Sequence, residues 1–225
     1  MVIQLTEADH ERVSAAIAAA EAGSNGEIVA VATPISDSYD DVALHWAVLA
    51  LILVLAWAAW RPDWLSWWYE RLLGGWNSEP TLGQLLTLLM ILAVLKFTAV
   101  LLILKYRPLR LALTPAATKQ RRVRRRAVAV FKAAAERRTE GRTGILIYLS
   151  MAERRAEIVA DEAILEVTDD SVWGDAMTAL VTDVRAGRPG DGLCAAIGQV
   201  GTVLAEHFPR TDNDRNEIPD KLIEL

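Results

Sequence analysis

The sequence predicts an α/β fold, a small mixed sheet packed by helices, interrupted by a two-helix transmembrane hairpin. Three observations carry this. Two segments that read as central strands, Gly26–Thr33 and Thr143–Ser150, are more than a hundred residues apart. Two long apolar runs lie between them. Charge is banded along the chain rather than mixed. The 225 residues are 52% apolar and 24% charged with a net charge of −5, averages that exclude a disordered chain or a collagen-like repeat. The one cysteine, Cys194, excludes an intrachain disulfide scaffold. Residues 1–41 hold one basic and eight acidic side chains, net −7, and residues 42–60 hold no formal charge. Residues 105–138 hold twelve basic and one acidic, net +11, and residues 139–225 are net −9.

Taken in order, Leu5-Thr6-Glu7-Ala8-Asp9 opens a helix. Thr6 caps it, Asp9 stands at the reciprocal position, Val13, Ile17 and Ala20 line one face, and Gly23 ends it. Gly26–Thr33 is apolar on both faces, hence a central strand. One helix and one such strand cannot fold alone, so their partners must come from beyond the apolar runs.

The first run, 42–60, has His45 as its only polar side chain besides the indoles. At about 1.5 Å per residue it covers roughly the hydrocarbon thickness of a bilayer. The second, 85–104, is interrupted only by Lys96 and two threonines. Seven of the eight tryptophans fall between 46 and 76. Trp46, Trp60, Trp64, Trp67 and Trp68 are the expected membrane-interface residues, because an indole is apolar with one N–H that wants a polar partner. The stretch Arg61–Glu70 is expected to lie on the membrane surface. Arg121, Arg122, Arg124, Arg125 and Arg126, with Lys119, follow the second span, while only Arg61 and Arg71 sit in the hairpin loop. This asymmetry predicts an inner-membrane, multi-pass chain with both termini cytoplasmic. The same cluster lacks interleaved aromatics, which argues against nucleic acid and for anionic lipid headgroups as its partner.

Beyond the spans, Thr114-Pro115 starts a long helix reaching about Arg138, its buried stripe Val123, Ala127, Val130, Phe131 and Ala134. Thr143–Ser150 is the second strand, parallel to the first in a right-handed crossover unit opened to admit the spans. A turn at Met151–Arg154 returns the chain as Arg155–Ala160. Three helices follow, Asp161–Val167, Ser171–Ala186 stopped by Gly187, and Gly192–His207 stopped by Phe208-Pro209. The expected organisation is therefore residues 1–41, the hairpin 42–104 with spans 42–60 and 85–104, and 105–225 completing the soluble domain.

Several groups could carry chemistry. Glu27, Asp161, Glu162, Asp169, Asp170 and Asp175 gather at the end of the sheet expected to lie away from the membrane. Such carboxylates suit a hard cation such as calcium, with Asp161, Glu162, Asp169 and Asp170 as ligands, or acid–base work on a phosphoester by Asp161, Glu162 and Glu27. The simpler reading is that they cap helix starts and complement helix dipoles. Asp37, Asp40 and Asp41 meet the arginine-rich helix on the simpler reading. Asp212-Asn213-Asp214-Arg215-Asn216 opens like a calcium loop, but Glu217 stands where the turn needs glycine, which favours a solvated tail. Lys96 and His45 are the intramembrane ionisable residues, and a channel would require self-association. Cys194 falls on an apolar helix stripe and reads as core.

The pattern resembles the TPM domain family, in a bacterial subgroup with a membrane hairpin inserted in the domain. The resemblance is carried by Leu5–Asp9, Ser24–Val29, Thr143–Tyr148, Glu153-Arg154-Arg155 with Ile158–Asp161, Trp173, the run from Gly192 to Pro209, and Asn216–Asp220. It implies an α/β sandwich and, from some thylakoid-lumen relatives, acid phosphatase activity, calcium binding and a part in photosystem repair. The internal hairpin departs from relatives with a cleaved signal or a terminal anchor. The expected function is a membrane-tethered interaction or quality-control module with a membrane-protein partner. The alternatives are a metal-assisted acid-phosphatase-like enzyme and an oligomeric channel subunit.

Overall fold

The computed structural model describes residues 5–73, 79–134, 143–168, 170–211 and 219–225. In chain order the elements are α1 Glu7–Glu21, β1 Glu27–Thr33, α2 Asp40–Trp60, α3 Pro62–Leu73, α4 Leu82–Ile103, α5 Arg107–Ala112, α6 Ala116–Ala134, β2 Gly144–Ser150, β3 Arg155–Ala160, α7 Glu162–Val167, α8 Asp170–Arg185, α9 Pro189–His207 and β4 Ile223–Glu224. They form two units, one of residues 1–37 with 116–225 and one of residues 38–115.

The first unit is an α/β fold around a mixed four-stranded sheet of order β3-β2-β1-β4. β1 and β2 pair in parallel from Glu27 opposite Gly144 to Thr33 opposite Ser150. β3 returns antiparallel to β2, through a turn in which Arg154 takes a left-handed conformation (φ 50°). Every residue of β1 and β2 is buried, because alternate side chains of a strand point to opposite faces and both faces are covered. Val29, Val31, Leu146 and Tyr148 pack under Val123, Ala127 and Phe131 of α6. Ile28, Ala30, Ala32, Ile145, Ile147 and Leu149 face a larger core built by α1, α8 and α9. The expected stripe on α6 is thus confirmed at Val123, Ala127 and Phe131, with Val130 packed at its border; the side chain of Ala134 and the stretch to Arg138 lie outside the described residues.

Local signals account for most boundaries. Thr6 and Asp9 form the reciprocal capping box of α1. That helix closes at Ala22, one residue before the glycine expected to stop it. Gly187 (φ 81°) ends α8: its N–H donates to Val184 and that of Arg188 to Asp183, the paired bonds of a Schellman motif. α9 starts three residues earlier than expected because Pro189 occupies its first turn, where a missing N–H costs nothing. Two glycines let α9 approach its neighbours. A Cβ on Gly201 would lie 2.5 Å from the Cβ of Ala20 on α1, and one on Gly192 would lie 2.8 Å from the Leu180 carbonyl on α8.

The second unit is helical. α2 and α4 are 21 and 22 residues long and apolar enough to cross a membrane. They pack antiparallel, the Trp46–Leu53 part of α2 lying beside Val100–Leu104 of α4. Only 22% of the apolar stretch of α2 and 11% of that of α4 is buried. Leu53, Met90 and Leu95 are each about 60% exposed. α3, in the stretch expected at the membrane surface, folds back so that Leu65 and Tyr69 pack on Leu88 with Trp64 and Trp68 at the margin. α4 begins with a second capping box, Thr81 with Gln84. Asp40, in the first turn of α2, pairs with the buried Arg110 of α5.

Candidate functional site

Two ends of the sheet collect polar side chains. At the amino end of β1 and β2, the backbone N–H of Glu27 donates to the Thr143 carbonyl, and Thr143 Oγ1 donates to the Asn25 carbonyl at 2.9 Å. Asp161 follows β3, and its Oδ2 accepts from the Gly144 N–H at 3.0 Å. Glu27 on β1 and Asp161 just past the end of β3, both buried, therefore flank the start of β2. Asp161 occupies the N-cap position of α7, yet its carboxylate makes no capping bond; it is spent on the strand instead. Glu162 and Asp175 are exposed. Asp169 and the side chain of Asp170 lie outside the described residues, as does the calcium-loop-like stretch 212–216. Among the described residues, no three His, Cys, Asp or Glu side chains come together in a way that could hold a metal ion.

Glu21 is the residue of this end that sequence reasoning missed. At the last turn of α1 it accepts from the Ile28 N–H at 2.6 Å. Burial pushes its carboxyl up to about 8, the Ile28 bond works against that shift, and the nearby charges of Glu27 and Asp220 add to it. Glu21 is thus a protonated acid at neutral pH beside ionisable carboxyl groups. Nothing local in the sequence marks it, since Asp220 is 199 positions away.

At the carboxyl ends of β1 and β2 a second network fixes the chain as it leaves β1. Glu153, buried in the turn after β2, accepts from the Ser36 N–H at 2.9 Å and from the Ser150 hydroxyl. Ser36 Oγ and Tyr148 Oη are 3.1 Å apart. Burial raises the Tyr148 phenol above its ordinary value, opposed by the Ser36 hydrogen bond and the Arg126 charge. Asp37 lies 3.2 Å from both Arg122 and Arg125 of α6. On the same helix, Gln120 donates to Glu157 of β3 and Arg124 approaches Glu157 to 3.5 Å. Burial raises the Glu157 carboxyl, while the charges of Arg124 and Arg155 oppose the shift.

The basic cluster is therefore divided. Arg122, Arg124 and Arg125 contribute to ion pairs within the α/β unit, while Arg121 and Arg126 are exposed. The expectation that these acids meet the arginine-rich helix holds for Asp37, through Arg122 and Arg125 of α6, whereas Asp40 pairs instead with Arg110 of the short helix α5. Of the expected interface tryptophans, Trp46, Trp60 and Trp67 are exposed and Trp64 and Trp68 half-buried.

Residues 109–203 match the family model described as TPM domain, so the chain carries a TPM domain. The match takes in α6 to α8, β2, β3 and most of α9, and leaves α1 and β1 outside it. No curated protein matches the sequence. Among solved structures the chain is similar to the NMR structure of BA42 protein from the psychrophilic bacterium Bizionia argentinensis. The likeness has a TM-score of 0.55 at 18% identity and covers 98% of this chain and 95% of that one. It is a likeness of fold.

Proposed function

We propose, with the TPM domain as premise, that this chain is a multi-pass protein of a bacterial inner membrane, its α/β unit on the cytoplasmic side. There the unit works as a membrane-tethered interaction or quality-control module that engages a membrane-protein partner. The observation that carries the reading is the exposed leucine surface of α2 and α4, inserted between the two central strands of one sheet. Apolar faces of that extent are unfavourable in water and are covered by lipid at no cost. Because β1 and β2 come from opposite sides of the insertion, the α/β unit forms only when both flanking segments are present. The exposed Arg121 and Arg126 support contact with anionic headgroups. In-cell cross-linking from residues placed on the exposed face of α8 tests the module: a reproducible membrane-protein adduct supports it, and absence of any adduct counts against it.

A second reading, a metal-assisted acid-phosphatase-like enzyme with calcium as its cation, is favoured by one observation. Glu21, protonated at neutral pH beside Glu27 and Asp220, pairs an acid with carboxyl groups of different environment. Detergent-purified protein would be assayed on a generic phosphomonoester with and without calcium or magnesium. Turnover lost in both Glu21→Gln and Asp161→Ala favours the enzyme over the module.

A further inference from the structure

The hairpin unit carries a groove of about 220 Å³ between α2, the last turn of α4 and α5. Its walls are apolar: Trp46 and Leu53 of α2, Ile103 and Leu104 at the end of α4, and Leu109 and Leu113 of α5 and its cap. The residues joining its α4 wall to its α5 wall are Lys105, Tyr106 and Arg107, all exposed. Arg110 is already neutralised by Asp40, so Lys105 and Arg107 are the cations next to the groove whose charge is available to a ligand.

We infer that this groove binds one anionic phospholipid, an acyl chain lying against Leu53, Ile103 and Leu109 and the headgroup phosphate held by Lys105 and Arg107. The inference rests on the reading of α2 and α4 as membrane spans. Two features fit a lipid. An apolar trough continuing into a short cationic connection matches the two ends of a phospholipid in order. α5 lays Leu109 and Leu113 toward the trough while Arg110 is tied to Asp40, so that α5 and its groove wall are fixed before any ligand arrives. Basic residues at a membrane surface gain from anionic lipid, and two of them suffice to separate anionic from zwitterionic headgroups by about tenfold or more.

The test is native mass spectrometry of the full chain released from mild detergent after exchange into mixed phosphatidylglycerol and phosphatidylethanolamine. The expected spectrum shows one phosphatidylglycerol bound per chain, with retention reduced about tenfold or more in Lys105→Gln/Arg107→Gln. It also shows loss of both lipids in Ala50→Trp, since Ala50 of α2 lines the trough and an indole there fills it. The double substitution is at exposed positions and leaves packing untouched, so it reports even where Ala50→Trp disturbs the helices. Equal retention of the two lipids, or retention unchanged in the double variant, overturns the inference, as does a lipid-free dimer in which a second copy covers the groove. Alkaline carbonate extraction of the same membranes separates the two possible failures. Protein that is extracted refutes the spanning helices themselves; protein that stays in the membrane but holds no lipid refutes the groove alone.

Discussion

Glu21 shows how little of a side chain's chemistry is written beside it. Its carboxyl, about 4.5 in an unfolded chain, is held near 8 in the fold. The folded state therefore binds this proton more tightly than the unfolded chain, so the contribution to stability is complete below about pH 4.5 and is lost as pH rises through about 8. Glu21→Gln keeps an acceptor for the Ile28 N–H and removes the titration. Thermal unfolding followed from pH 5 to 9 should be flatter in the variant, with a higher Tm at the alkaline end; an unchanged profile would show that burial of Glu21 does not matter. Asp161 makes a different prediction. Asp161→Ala leaves the Gly144 N–H, at the start of a fully buried strand, without its side-chain acceptor, a loss of about 1–3 kcal/mol. Asp161→Asn, which keeps an oxygen there, should recover most of it. Asp161 was legible as a helix-start acid but not as a strand partner. Its role depends on Gly144, seventeen positions earlier and one strand across.

Among elements, those whose signal is local were readable. β1 and β2 announce themselves by apolar residues on both faces, α1 by its capping box, α8 by the glycine that stops it. Two elements were not. β4 is two residues, Ile223 and Glu224, that join the sheet edge through backbone pairing with Val31 and Ala32, which no side-chain pattern records. α5 is six residues of mixed basic and apolar character, too short to show a period, and its place is fixed by Arg110 meeting Asp40, seventy positions away. The packing of α9 rests on contacts visible only in three dimensions. Gly201→Val would drive a branched side chain into Ala20 across the α1–α9 contact, and overpacking of this kind costs about 1–3 kcal/mol. A chemical-denaturation midpoint lowered with the slope unchanged would confirm it. Retention of the wild-type midpoint would mean that α1 can move away freely.

For the whole molecule, the insertion is the organising fact. The two ends it leaves in the α/β unit are held near each other: Asp37 contacts Arg122, six residues and roughly 9 Å of helix beyond the start of α6. A short Gly/Ser linker joining residue 37 to residue 116 should therefore give a soluble monomer with the circular dichroism of a mixed α/β protein and a cooperative melt. Residues 116–225 alone, lacking β1, should not. This architecture was legible because charge-free and charge-rich bands are properties of the chain itself. The sites were not, because the carboxylates at the amino end of the sheet are distributed over α1, β1, the cap of α7 and the C-terminal segment. The proposed function depends on the membrane hairpin, and reporter fusions after Trp76 and after Leu225 test it most directly. A hairpin with both termini cytoplasmic gives an exported reporter at Trp76 and a cytoplasmic one at Leu225; both reporters on one side of the membrane would contradict it.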